Sequence, residues 1–122
     1  MSSSYKELRV WNCGMKLAMD VYGATTGFPK QEMYGPANQM RRAAVSVPSN
    51  IAEGKGHRSD AEFRHFLFHA RGSLLELETQ VMLAKQLHYL NGEQSEMLLT
   101  QTAEVAKGLN ALINSLHETT ND

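Results

Sequence analysis

Residues 41–54 read RRAAVSVPSNIAEG and place a proline, an asparagine and a glycine inside a segment patterned as a helix. Pro48 lacks a backbone donor, and its ring presses on the carbonyl of Ala44. A helix that runs through it is therefore expected to kink, at a cost of about 3 kcal/mol. Close packing has to offset that cost. The segment predicts a second helix that is kinked at Pro48 and held between tightly packed neighbours.

Length and composition limit the class of protein. The chain has 122 residues, one cysteine and a formal net charge of −1. This length predicts a single domain over residues 1–122, with 1–5 and 118–122 expected to be flexible. Because Cys13 is alone, no intrachain disulfide can form, which favours a reducing compartment. The polar N-terminus and the lack of a long apolar run predict a cytoplasmic protein without a membrane segment.

Apolar residues recur at alternating spacings of three and four in four separate segments, the pattern of helices that bury one seam. The predicted seams are Leu8, Trp11, Met15, Ala18 and Tyr22; Ala37, Met40, Ala44, Val47 and Ile51; Phe63, Leu67, Ala70, Leu74, Leu77, Val81 and Ala84; and Leu98, Thr102, Val105, Leu109, Leu112 and Leu116. Most connections are short, so consecutive helices are expected to be antiparallel neighbours. The pattern predicts an all-α, up-and-down four-helix bundle.

The second helix has a second apolar face and a polar side in addition to its core seam. Val45, Pro48 and Ala52 lie roughly 100° from its core seam. This second apolar face indicates contact with another chain, unless the bundle is wide enough to cover both faces. Asn50 lies on a polar side of the helix and is interpreted as a structural residue that satisfies the kink or the helix end.

The third helix contains an internal glycine. Gly72 costs about 1 kcal/mol relative to alanine, which predicts a close approach by another helix. Glu76 lies one turn further along and is predicted to pair with Arg41 or Arg42 across the second and third helices.

The segments around Trp11, Phe28-Pro29 and Tyr34-Gly35, together with Pro48-Ser49-Asn50-Ile51-Ala52-Glu53-Gly54, resemble the bacterial four helix bundle protein family. This family is also known as the 23S rRNA intervening-sequence protein family, and the resemblance covers roughly residues 5–115. It implies a left-handed antiparallel bundle that assembles into a ring-like homopentamer without enzymatic activity. Members are encoded within intervening sequences of large-subunit rRNA genes or elsewhere in bacterial genomes, and a related accessory protein works with a reverse transcriptase and nucleic acid.

A metal site is one alternative function. Glu62, His65 and His69 are spaced to share one side of the third helix, and such side chains can hold a metal. A di-iron centre is excluded, because it needs a second Glu-x-x-His unit that the chain lacks. The alternative is therefore a small metal-binding or ligand-binding bundle that uses these three residues. The competing interpretation is that they line a surface or a subunit contact.

No other cofactor site and no small-molecule substrate are predicted. The glycines at Gly54 and Gly56 follow no strand and precede no Lys-Ser/Thr pair, so they do not form a phosphate-binding loop. No local arrangement of Ser or Cys with His suggests a nucleophile.

Charge is distributed unevenly, since residues 72–122 carry two basic and seven acidic side chains. The low net charge argues against a strongly cationic nucleic-acid binder, and the helix pattern assigns the phenylalanines mostly to the core. A set of basic residues nevertheless favours binding of RNA or DNA, because a ring of subunits would repeat the set and neutralise several phosphates. This basic set comprises Arg41, Arg42, Lys55, Arg58, Arg64 and Arg71.

We therefore expect a non-catalytic homo-oligomer that acts as a binding or scaffolding module, with RNA, DNA or a nucleic-acid enzyme as its favoured partner. A purely structural protein-interaction oligomer is a further alternative. The structural or assembly residues are predicted to be Val45, Pro48, Asn50, Ala52, Glu53, Gly54, Gly72 and Glu76.

Overall fold

The structure is a computed structural model that describes residues 4–116 and contains four α-helices. Helix α1 spans Arg9–Thr25, α2 spans Asn38–Lys55, α3 spans Asp60–Gln86 and α4 spans Gly92–Ser115. The described residues contain no strand. Each helix packs against its neighbours in chain order, and α4 closes the bundle against α1. The predicted all-α four-helix bundle is confirmed.

The core of α3 and α2 follows the predicted seams. All seven predicted positions of α3 are buried, and so are the five predicted for the second helix. Helix α4 agrees as far as Leu109, after which Ile113 is buried and Leu112 is only half-buried. The 3.6-residue period therefore identifies the inner face of these helices along most of their length.

Helix α1 is rotated relative to its prediction. Of the five predicted seam residues only Ala18 is buried, whereas Met15 and Tyr22 are exposed. The core is instead lined by Val10, Leu17, Val21 and Ala24. The prediction was wrong because α1 carries two apolar stripes, and periodicity alone does not say which of them faces inward.

Pro48 lies inside α2, which continues on both sides of it. The proline is buried against α1, where a Cβ on Gly14 would lie 3.6 Å from its ring atoms. This contact supplies the close packing that the sequence requires. The kink at Pro48 and the left-handed twist of the bundle stay predictions.

Side-chain caps begin α3 and α4. Ser59 caps α3 by accepting a hydrogen bond from the Glu62 backbone at 3.1 Å. A complete capping box begins α4, where Asn91 and Gln94 exchange hydrogen bonds of 2.7 and 3.0 Å. Such reciprocal caps satisfy two backbone donors that the helix itself leaves free.

The predicted flexible ends lie mostly outside the described residues. Ser4 and Tyr5 have a defined place, because Ser4 caps the short 3₁₀ turn Tyr5–Glu7 and Tyr5 packs edge-on against Trp11. Across residues 4–116, no helix has the length and apolar character that a membrane crossing would need.

Candidate interaction surfaces

Helices α2 and α3 pack tightly against each other at Gly54. A Cβ added to Gly54 would lie 2.7 Å from the Phe66 Cβ and 3.3 Å from the Phe63 carbonyl oxygen. Neither neighbour is a flexible side-chain tip, so only glycine fits. We call this side of α2 the closed flank; it consists of Ser46, Asn50 and Gly54 facing α3.

A hydrogen bond joins α2 to α3 at the closed flank, and two more support it within α2. The Ser46 and Ser73 hydroxyls lie 2.8 Å apart, and Asn50 Nδ2 donates to the Ser46 carbonyl at 2.8 Å and to its hydroxyl at 2.9 Å. The carbonyl that loses its donor through Pro48 belongs to Ala44. The Asn50 amide therefore does not replace that lost bond. It instead holds, within α2, the Ser46 hydroxyl that meets Ser73 of α3.

The opposite side of α2 forms an open, mostly apolar groove against α1. We call it the α1/α2 groove, with a volume of about 350 Å³. Met19 is 70% exposed, and Val45 is 41% exposed. Its principal apolar lining consists of Trp11, Met15, Met19, Tyr22, Val45 and Ala52. The predicted second apolar face of α2 is therefore covered by α1 only in part.

Arg41 closes the α1/α2 groove near the end of α1. Its Nε donates to the Thr25 hydroxyl at 2.8 Å, and its guanidinium lies 4.7 Å from the centroid of the Tyr22 ring. Within the part of the chain that the structure describes, no ion pair joins Glu76 to Arg41 or Arg42. The predicted pairing across α2 and α3 is wrong, because Arg41 is directed towards α1.

Helix α3 presents a second exposed apolar surface. Phe68, Leu75 and Met82 repeat every seven residues and are 39%, 58% and 55% exposed. We call these three residues the α3 stripe. Gly72 lies among them on the exposed surface, with nothing within 4 Å of the position a Cβ would occupy. The predicted close approach at Gly72 is therefore not made by another helix of the same chain.

The six basic residues do not form one patch. Arg41 and Arg42 lie near the start of α2, about 20 Å along the helix axis from Lys55. Lys55 and Arg58 lie at the α2–α3 turn, and Arg64 and Arg71 follow in the second and fourth turns of α3. We call these four residues the basic end. There Arg64 and Arg71 lie 5.5 and 4.8 Å from the centroid of the Phe68 ring.

Phe68 also corrects an expectation about the aromatic residues. Phe63 is buried and Phe66 is half-buried, as the helix pattern indicates, but Phe68 is exposed between two arginines. Arg71 additionally donates to the Asn110 side chain of α4 at 2.8 Å. Two residues of the basic end therefore flank one accessible aromatic ring.

The three candidate metal ligands are not brought together. Glu62 Oε1 lies 3.3 Å from Nδ1 of His57, which also stacks on Phe66. His65 and His69 form a separate pair whose Nε2 atoms are 3.2 Å apart. Among residues 4–116, no group of three or more His, Cys, Asp or Glu side chains is placed to hold a metal ion.

A polar network lies on the α1/α4 side. The Asp20 carboxylate accepts hydrogen bonds from Lys16 at 3.0 Å and from Gln101 at 2.7 Å. Partial burial acts to raise the pKa of Asp20, but the bond from Gln101 and the bond and charge of Lys16 outweigh it and lower the pKa. Cys13 is half-buried near this network, in a depression that Lys16 and Gln101 also line.

Comparison with known proteins agrees with this architecture. The family model described as 23S rRNA-intervening sequence protein matches residues 6–111. The chain belongs to this family. A crystal structure from Bacteroides thetaiotaomicron, a protein of unknown function from the S23 ribosomal protein family, superposes with a TM-score of 0.77 at 24% identity. The match covers 85% of this chain and 97% of that one. No curated protein sequence matches the chain.

Family membership confirms the predicted resemblance, and the similar crystal structure supports the four-helix fold. At this level of identity it carries no function from one protein to the other. The α1/α2 groove and the α3 stripe were only partly anticipated from the sequence. Val45, Pro48 and Ala52 indicated the groove, whereas the exposed positions of Met19, Leu75 and Met82 were missed. The sequence does contain a signal for the α3 stripe, because Phe68, Leu75 and Met82 form a second apolar repeat of seven residues.

Proposed function

We propose that this protein is a non-catalytic, self-assembling scaffold in which the α3 stripe of one copy packs into the α1/α2 groove of the next. The observation that carries the proposal is the pairing of an open apolar groove with an exposed apolar stripe on one small chain. Exposed apolar patches of this kind are typical of interaction sites.

The positions of the two surfaces favour a ring. Helices pack in chain order, so the α1–α2 side and the α3–α4 side lie on opposite sides of the bundle. A contact between two different surfaces is heterologous, and it generates a closed ring when the rotation closes. Together with the family resemblance, this supports a homopentamer.

One pair of opposite charges lies beside the two surfaces. Arg42 is exposed one turn from Val45 beside the groove, and Glu76 is exposed next to Leu75 beside the stripe. Opposite charges across an interface fix its register and suppress incorrect contacts. A second copy of the chain therefore fits the groove in apolar character, and the Glu76 part of the stripe also matches the charge of Arg42.

A single substitution on each surface tests the assembly. Val45→Glu and Leu75→Glu should each reduce the mass measured by light scattering from that of an oligomer to that of a monomer, because each places a charge in an apolar contact. Met97→Glu is the matched control on α4, since Met97 is 44% exposed and lies outside both surfaces.

Mixing the two variants distinguishes a heterologous contact from a symmetric one. Val45→Glu leaves the stripe intact and Leu75→Glu leaves the groove intact, so an equimolar mixture should form heterodimers and stop there. Variants that stay oligomeric, or a mixture that stays monomeric, would contradict the proposed arrangement.

The proposed partner of the assembled scaffold is RNA or DNA, bound at the basic end. Lys55 and Arg58 lie at the α2–α3 turn, outside the groove and the stripe, and a ring repeats them in every subunit. Arg64 and Arg71 flank Phe68 of the stripe, so the turn carries the proposed binding. Binding that rests on phosphate neutralisation weakens steeply with salt. Single-stranded RNA should therefore bind at low ionic strength and be released as salt is added.

The basic residues can be tested individually. Arg58→Ala should weaken RNA binding at low salt and reduce the salt slope by about one, the value expected for one lost phosphate contact. Lys30→Ala is the matched control, because Lys30 is an exposed basic residue outside the basic set. Equal effects of the two substitutions would contradict a localised site and favour the purely structural oligomer. A cytoplasmic location is part of the proposal and is supported by the single cysteine.

A further inference from the structure

The histidine pair on the outer surface of α3 has an unusual geometry. His65 and His69 are one helical turn apart, and both side chains are exposed. Their Nε2 atoms are 3.2 Å apart, and their ring planes cross at 81°. The two nitrogens therefore converge just outside the helix.

We propose that His65 and His69 form a two-ligand binding site for a divalent transition-metal ion such as Zn²⁺, Ni²⁺ or Cu²⁺. A zinc ion binds imidazole nitrogen at about 2.0–2.1 Å, so two nitrogens at a tetrahedral angle are about 3.3 Å apart. The observed separation is close to this value, and neutral imidazole suits all three ions. An ion can therefore bind with little movement of either ring.

Neighbouring carboxylates do not complete the site. Glu62 faces His57 at 3.3 Å, and Glu76 lies two helical turns beyond His69, about 10 Å along the axis. The protein thus supplies two ligands, and water fills the remaining positions on the exposed side. This differs from the three-ligand site that the sequence predicts with Glu62.

The site does not depend on assembly, because one helix of one chain provides both ligands. It shares a shallow surface depression with Phe68 and Gly72, so the ion would bind beside the α3 stripe. Metal binding and self-association can therefore be measured separately, in the oligomer and in the Val45→Glu monomer.

Calorimetric titration of the untagged full chain with Zn²⁺ tests the proposal. We expect one saturable site per chain at neutral pH, with affinity reduced roughly tenfold or more in His65→Gln and in His69→Gln. Following the usual order of stabilities, Cu²⁺ should bind more tightly than Ni²⁺ or Zn²⁺.

Two control variants make the test decisive. His88→Asn removes a solitary exposed histidine at a φ of 65°, a conformation that asparagine tolerates, and should bind Zn²⁺ like the unmodified chain. Glu62→Gln should also leave the affinity unchanged. Absence of saturable binding, equal losses in His88→Asn, or a loss in Glu62→Gln would overturn the two-histidine site.

Discussion

The two sides of α2 show opposite packing. On the closed flank, α3 approaches so closely that a methyl group at Gly54 would collide with Phe66. On the groove side, Val45 remains 41% exposed although α1 lies next to it. Small residues occur on both sides of the helix, but they have different consequences. On one side they let two helices of the same chain meet, and on the other they leave an open groove.

The largest expected effect comes from filling the closed flank. Gly54→Ala should reduce the free energy of unfolding by about 1–3 kcal/mol, because the added methyl group overpacks the contact with α3. Chemical denaturation followed by circular dichroism measures this change.

Gly72→Ala is the matched control for Gly54→Ala, because Gly72 is a helical glycine beside open space. It should raise the free energy of unfolding of the Val45→Glu monomer by up to about 1 kcal/mol, because alanine favours the helix and meets no neighbour. If both glycine substitutions shifted the unfolding midpoint in the same direction, the contrast between a tight and an open surface would be wrong.

A smaller effect is expected from the hydrogen bonds of the closed flank. Asn50→Ala should lower the free energy of unfolding by about 1 kcal/mol, since it removes the donor to Ser46 at the α2–α3 contact. Ser49→Ala is the control on the groove side, where the side chain is exposed. An equally large loss from Ser49→Ala would remove the distinction between the two sides.

The smallest effect is expected away from both sides of α2, at Asp20. Its lowered pKa means that the folded state binds the proton less readily than the unfolded state. The stabilisation is present above the ordinary aspartate pKa and is lost as the pH falls through the lowered value. Asp20→Asn should therefore reduce the difference in melting temperature between neutral and acidic solution. An unchanged pH dependence in Asp20→Asn would contradict this role.

The sequence predicts the family, the number of helices and most of the core. In α3 one stripe is consistently apolar, so the period alone identifies the inner face. In α1 two stripes compete, and the aromatic one containing Trp11 and Tyr22 faces the groove. Periodicity reports spacing along a helix and says nothing of its rotation relative to the neighbours.

The candidate surfaces were harder to predict for a similar reason. The Arg41 contact depends on the end of α1, and the Phe68 contacts depend on two arginines in different turns of α3. The pairing predicted between Glu76 and an arginine of α2 was wrong, and the close approach predicted at Gly72 is not made by another helix of the same chain. Residue spacing within α3 did predict that His65 and His69 lie together. The structure shows that Glu62 is not part of this pair, because it faces His57.

The α1/α2 groove has a consequence for the order of events after synthesis. One of its walls comes from α1 and the other from α2, and these helices are separated in sequence by the turns of residues 26–37. Neither helix carries the whole groove. A chain in which α1 and α2 have not yet paired therefore has no complete groove. If copies associate through the groove as proposed, a subunit can receive its neighbour only once these two helices have folded together, and the proposed contact itself excludes subunits in which they have not.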